Sequence, residues 1–400
     1  MQQGRLNKRW DLLILSLLVY TCLGTIYSWS VFRGPLSVEL GLGSEQLGRP
    51  YSTFLAAFAF SMPATGWLMK TIGHRALLAA GGLLVGAGWI AAGAAASLEG
   101  LTVSYGLLGG IGVGLGYAVP LAVVASWFPD RRGSALGIAL AGFGMSPFVT
   151  APLGGWLIGA MGVRAAMTVL GSIFAVVVLG AAPLFRARTL PRTQGSEASG
   201  DMGPLDALRS PAFWALWLSF AVGTAVGLTA IGITATYASD VVGMASGPAA
   251  VLVAVFGLLN GAGRPLFGVI HDRRGPAATA RLAFCAVAAA AALALLSGPG
   301  RVLFLVLAFG GFWTMLGGWL AIAPAATGRL FGASTYAQNY GLMYTAYGFG
   351  ALGGGALADW LLRASGSYQP LFLAMLLLAG LGAVLAPGAL RPAAQAAAPS

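Results

Sequence analysis

The chain has 400 residues, of which 58% are apolar and only 8% charged, and its formal net charge is +11. Soluble domains carry about 25% charged residues, so a chain this poor in charge does not clothe a water-soluble globule, and a soluble enzyme is excluded first. The excess of base raises nucleic acid as a partner, but membrane proteins concentrate Arg and Lys in cytoplasmic loops, so the charge has to be located before it is interpreted.

A membrane-spanning helix needs about 20 mainly apolar residues. Apolar runs occupy 11–32, 50–69, 76–98, 101–127, 134–160 and 165–185, then 212–239, 248–270, 278–297, 301–327, 339–362 and 367–388, which makes twelve. They are too long for strands and lack two-residue alternation, so the pattern predicts helices rather than a β-barrel. The first run follows Arg5, Lys8 and Arg9 and continues to about Val31 without a small-residue cleavage site. It reads as a retained span rather than a signal peptide. Between the sixth and seventh runs lies the longest polar stretch, with Arg186, Arg188, Arg192, Glu197, Asp201 and Asp206. It reads as a linker over 187–211 between two six-helix halves, 1–186 and 212–400.

Placing the N-terminus in the cytoplasm and alternating the spans puts sixteen of the twenty-two basic residues on the inner side, Arg391 among them, and five on the outer side. That bias predicts a multi-pass protein of a bacterial inner (plasma) membrane with both termini cytoplasmic. It also makes most of the charge topological, which removes nucleic acid as a partner. One basic residue, Arg264, is left well inside a span.

The two halves echo each other. Gly66-Trp-Leu-Met-Lys70-Thr-Ile-Gly73-His-Arg75 follows the second span, and Gly268-Val-Ile-His-Asp272-Arg273-Arg-Gly275-Pro follows the eighth, at an offset of 202 residues. Gly137…Gly142-Phe143-Gly144 in the fifth span matches Gly341…Ala346-Tyr347-Gly348 in the eleventh at an offset of 204. Paired repeats of this kind place a binding site between the halves near the bilayer midplane.

The Gly268–Gly275 loop, together with its degraded first copy carrying Lys70 in place of Asp, resembles a motif of the major facilitator superfamily. Trp127-Phe-Pro-Asp130-Arg-Arg-Gly133, Asn260-Gly-Ala-Gly-Arg264-Pro265 and Asn339-Tyr340-Gly341 narrow the resemblance to the oxalate/formate antiporter family and its relatives, the monocarboxylate transporters. The resemblance implies a twelve-helix major facilitator fold working by alternating access, with Arg264 as the residue that pairs with the substrate. Two departures matter: the oxalate exchanger has a Lys in the eleventh span where this chain has Tyr347, and the eukaryotic carriers have an Asp where this chain has Asn260.

Arg264 has no Asp or Glu in any span interior to pair with. A lone ion at membrane depth costs at least about 3 kcal/mol, so a visiting carboxylate is a natural partner through a bidentate fork; the competing reading is an arginine that snorkels to the surface. Asn260 lies one helical turn away on the same face. Tyr117, Tyr347 and its repeat partner Phe143 are candidates for the cavity wall, with Tyr344 and Trp319 as weaker ones. One cation selects one negative charge, because a dianion leaves a carboxylate unpaired in a low dielectric. The expected substrate is therefore a small monocarboxylate such as lactate, pyruvate or formate, with a co-transported proton. An obligate anion exchanger, oxalate for formate included, is the alternative, and a non-transporting sensor on the same fold is a lesser one.

At the inner side, Asp272 is expected to hold the halves together, through a basic loop residue such as Arg131 or through the N-terminus of the fifth helix. Arg273 lies beside it. Lys70 cannot serve a positive helix end, so a lopsided latch is predicted. Gly109–Gly116 follows no strand and reads as close helix packing rather than a nucleotide loop. Without a Walker loop, ATP is not expected to drive the process. Cys22, Cys285, His74 and His271 have no metal-ligand spacing, so no metal or cofactor is expected, no enzymatic activity is expected, and the protein is expected to be a monomer.

Overall fold

Helices are the only repetitive structure among the described residues. The computed structural model describes residues 2–42, 46–186, 202–332 and 335–390. Arg188, Arg192, Glu197, Asp201 and Arg391 lie outside them, as do the side chains of Arg5 and Lys8. Among the described residues, nine helices are long and apolar enough to cross a membrane. Two of these are double-length rods, Gly48–Ala94 and Ser246–Leu295, each broken at one glycine, Gly73 (φ 82°, ψ 165°) and Gly275 (φ 76°, ψ 176°). Those dihedrals are open in practice only to glycine. The two glycines occupy matching positions of the 202-residue repeat, so each motif loop is a one-residue turn between two spans. With both rods divided, and with the tyrosine-rich Tyr336–Ser365 added, the spans number twelve.

In chain order they are α1 (2–40), α2 (48–72), α3 (74–94), α4 (98–127), α5 (Arg132–Met161), α6 (Val163–Ala181), α7 (Pro211–Asp240), α8 (246–274), α9 (276–295), α10 (Val302–Phe331), α11 (Tyr336–Ser365) and α12 (Gln369–Ala389). A six-residue helix, Pro204–Arg209, precedes α7. Two spans depart from plain α-helix. α1 tightens into a 3-10 turn over Gly24–Ser28, where Gly24 lies so close to the Phe143 carbonyl of α5 that no Cβ fits. α4 widens into a π turn over Thr102–Gly109.

The glycine run of α4 is helical and packs backbone to backbone. A Cβ on Gly110 would sit 2.6 Å from the Phe54 carbonyl oxygen of α2, and one on Gly112 would sit 2.6 Å from the Val85 nitrogen of α3. Large apolar side chains such as Trp156, Val176, Leu303, Leu377 and Val384 point outward, as suits a lipid-facing belt.

The halves meet along two matched seams, α5 against α8 and α2 against α11. Each seam is tight at two of the positions that the 204-residue echo singles out, Gly137 and Gly144 in one and Gly341 and Gly348 in the other. A Cβ on Gly137 would sit 2.5 Å from the Arg264 carbonyl oxygen, and one on Gly341 would sit 2.5 Å from that of Met62. Gly144 faces Asn260 and Gly348 faces Ala59 in the same way. Without a hydrophobic drive between helices in lipid, such close van der Waals contact is what holds them together.

Gly137→Val is expected to force α5 from α8 at a cost of about 1–3 kcal/mol, seen as a lower Tm of the purified protein in detergent. Gly155→Val, on the open face of the same helix, is expected to leave the Tm close to that of the parent.

Candidate functional site

Arg264 is fully buried at the α5–α8 seam. Its Nη1 donates to the Leu140 carbonyl of α5 at 2.9 Å and its Nη2 to Asn260 Oδ1 at 3.2 Å. Asn260 is itself fixed, because its Nδ2 donates to the Trp313 carbonyl of α10 at 2.9 Å. The guanidinium is thus held in the interior and does not reach the surface. Its Nε has no hydrogen-bond partner, and its Cζ stands 5.5 Å from the centre of the Phe143 ring, within cation–π range. No Asp or Glu is buried among the described residues.

Phe143 joins the arginine to an aromatic cluster contributed by both halves. Its ring centre lies 5.3 Å from that of Tyr117 and 5.4 Å from that of Tyr27. Tyr117 in turn lies 5.4 Å from Tyr344 of α11, and Tyr344 stacks on Tyr347 at 5.0 Å. Tyr347 and Tyr27 share a hydroxyl–hydroxyl hydrogen bond of 3.2 Å between α11 and α1. The Tyr117 and Tyr340 hydroxyls are buried near each other without a well-directed hydrogen bond. Among the described residues the site therefore presents donors, Arg264 Nε–H and the phenols, and no buried carboxylate: a set complementary to an anion.

Of the residues read from sequence, Arg264, Asn260, Tyr117, Phe143, Tyr344 and Tyr347 come together here. Trp319 does not. Its ring packs on Phe284 of α9 with 4.9 Å between centres and lies against Gly223 of α7, inside the C-terminal half.

Three further members belong to the cluster. Tyr20 donates to the Tyr117 carbonyl at 2.7 Å. Phe58 touches Tyr117, Phe143, Tyr344 and Tyr347. Tyr340 packs on Tyr344 at 5.6 Å. The spacing Tyr336, Tyr340, Tyr344, Tyr347 is a single helical stripe and marks Tyr340 in the sequence; nothing in the sequence marks Phe58.

One end of the seam carries the motif loops. Asp272 accepts hydrogen bonds from the Gly133 and Ser134 amides at 2.9 and 2.8 Å and from Ser134 Oγ at 2.6 Å. Of the two partners anticipated for it, the carboxylate takes the N-terminus of α5, where the helix dipole favours an anion. Arg131 and Arg273 stand exposed beside it. At the matching place in the other seam, Lys70 Nζ donates to Gln338 Oε1 in the first turn of α11 at 2.7 Å. The acid accepts from backbone amides, whereas the basic side chain that replaces it donates to a side-chain amide oxygen.

The sequence profile of the Major Facilitator Superfamily matches residues 12–327. The oxalate:formate antiporter of Oxalobacter formigenes is 30% identical over 361 residues, covering 88% of this chain and 85% of that protein. Monocarboxylate transporter 12 of Xenopus laevis is 27% identical over 323 residues, covering 73% of this chain and 69% of its own. Among solved structures, FucP in the outward conformation superposes with a TM-score of 0.71 at 15% identity, covering 95% of this chain and 98% of that one; this likeness concerns the fold.

Asp272→Asn removes the charge from the α5 terminus and is expected to part the ends of α5 and α8. In a background without Cys22 and Cys285, a cysteine at buried Ala135 is expected to react with a soluble maleimide several-fold faster once Asp272 is replaced.

Proposed function

The chain belongs to the Major Facilitator Superfamily, and from that premise we propose that it is a secondary transporter of small monocarboxylates, of the lactate, pyruvate and formate class. The observation that carries the proposal is the single buried guanidinium of Arg264, ringed by aromatic side chains and donors, with no buried carboxylate among the described residues. One cation balances one carboxylate. A dianion would bring a second charge into a low-dielectric site with nothing to meet it. Phe143, and Tyr347 at the position where the resemblance implies a lysine in the oxalate exchanger, take up volume and leave room for a short anion.

Transport proceeds by alternating access. In this structure Arg264, Tyr117, Tyr344 and Tyr347 are all buried, so the site is closed around the guanidinium. Asp272 of α8, held at α5, and Lys70 of α2, held at α11, latch one end of the seams, and the arginine distribution supports a cytoplasmic placement of that end. Release inward then requires both contacts to break and α5 and α11 to swing from α8 and α2. A proton accompanies the anion, on the substrate acid or along the buried phenols. The protein is a monomer in the bacterial inner membrane with both termini in the cytoplasm. Kinship with the oxalate:formate antiporter supports a second reading, exchange of one organic anion for another.

Uptake of labelled L-lactate into proteoliposomes under an inward proton gradient tests the reading. Hydrogen bonds to a charged group contribute about 1.5–3 kcal/mol, so Arg264→Ala is expected to lower uptake by about 10- to 100-fold. Uptake seen only in vesicles preloaded with unlabelled anion would select exchange, and no uptake of lactate, pyruvate or formate under either condition would overturn the proposal. A second cation in the wall, Tyr347→Lys, is expected to shift preference from lactate towards oxalate in a competition assay.

A further inference from the structure

We infer that a groove on the lipid-facing side of the N-terminal half is a binding site for a phospholipid with a zwitterionic, primary-ammonium headgroup of the phosphatidylethanolamine type. The groove encloses about 760 Å³ between α1, the end of α4 and the turn that follows α6. Its length is apolar: Ile14 and Leu18 of α1 and Leu184 all line it and are 65%, 50% and 61% exposed. Surfaces of that kind face acyl chains in a membrane protein. Its polar members, Asp11, Trp127 and Arg186, sit at the end of the molecule that also carries the Asp272 latch. The groove is therefore amphipathic along its axis, as a lipid is.

The mouth is built rather than incidental. The Trp127 indole donates to the Arg186 carbonyl at 2.9 Å, which ties the end of α4 to the chain leaving α6. A tryptophan at this level is also the residue expected at the headgroup boundary. Asp11 and Arg186 line the same groove, yet they form no ion pair with each other, and neither has another ion-pair partner among the described residues. The other acid nearby, Asp130, is engaged by Arg9 at 3.9 Å. One free carboxylate and one free guanidinium at the wet end of an apolar groove match the two charges of a zwitterionic head.

The guanidinium suits the phosphate through a bidentate fork, and the carboxylate accepts from the ammonium N–H groups. Choline has no N–H to donate, and a glycerol headgroup supplies no cation for Asp11 while placing a net negative charge beside it. Hydrogen bonding to Asp11 thus favours ethanolamine over choline, and charge favours it over glycerol.

Native mass spectrometry of the full-length protein, released from detergent after exposure to equimolar ethanolamine, choline and glycerol phospholipids with identical acyl chains, tests this directly and needs no knowledge of the transported substrate. The expected result is several-fold preferential retention of the ethanolamine lipid. Asp11→Asn should equalise ethanolamine and choline lipids, and Arg186→Gln should lower the retention of both. Equal retention of the two by the parent protein, a preference that survives Asp11→Asn, or retention of the glycerol lipid above the ethanolamine lipid would overturn the inference.

Discussion

The fold is arranged around one difficulty, the burial of a guanidinium inside a membrane protein. An arginine at the centre of a span costs about 2.5–3.5 kcal/mol on insertion scales. Two hydrogen bonds to a charged group, each contributing about 1.5–3 kcal/mol, are enough to offset that cost. Arg264 has two, one to the Leu140 carbonyl and one to Asn260 Oδ1. The arginine is therefore tolerable without a resident counter-ion, while its Nε and its charge stay available. A permanent carboxylate partner would have taken up both.

That solution depends on how near α5 comes to α8. The Leu140 carbonyl reaches the guanidinium because Gly137 and Gly144 leave no side chain between the two helices. The same spacing, displaced by half the chain, brings Gly341 and Gly348 of α11 against α2. A repeat in the sequence thus becomes a pseudo-symmetric pair of seams, and the site forms where one of them passes the buried charge. The symmetry stops at the chemistry. Phe143 in one half corresponds to Tyr347 in the other, and Asp272 on backbone amides corresponds to Lys70 on a side-chain amide. Only one latch draws on a helix dipole, so the two seams are closed by contacts of different kinds.

The positions that were hard to read from sequence share a physical cause. Trp319 looks like Tyr117 in one dimension, an aromatic within an apolar span, but the rotation of α10 turns its ring into the gap between α7 and α9. Phe58 has no polar tip and no repeat partner that would distinguish it from any core phenylalanine, yet it touches four members of the cluster. Along a helix with a period of 3.6 residues, a shift of one position turns a side chain by about 100°. In a span that is apolar on every side, no periodicity records which way it faces.

Composition and order along the chain by themselves determined the class, the number of spans and the two-part repeat. They also singled out the lone arginine, since each of these follows from hydropathy, charge placement or internal similarity. The glycines of the two motif loops were visible too, because φ near +80° admits little else. Tertiary structure alone decided which partners those residues meet: that Asp272 takes the α5 terminus rather than a neighbouring arginine, that Lys70 finds Gln338, and that Asn260 is pinned by the Trp313 carbonyl. Such pairings join residues from about 50 to 270 positions apart. They are set by helix rotation and distance of approach, neither of which is written in the local pattern of any span.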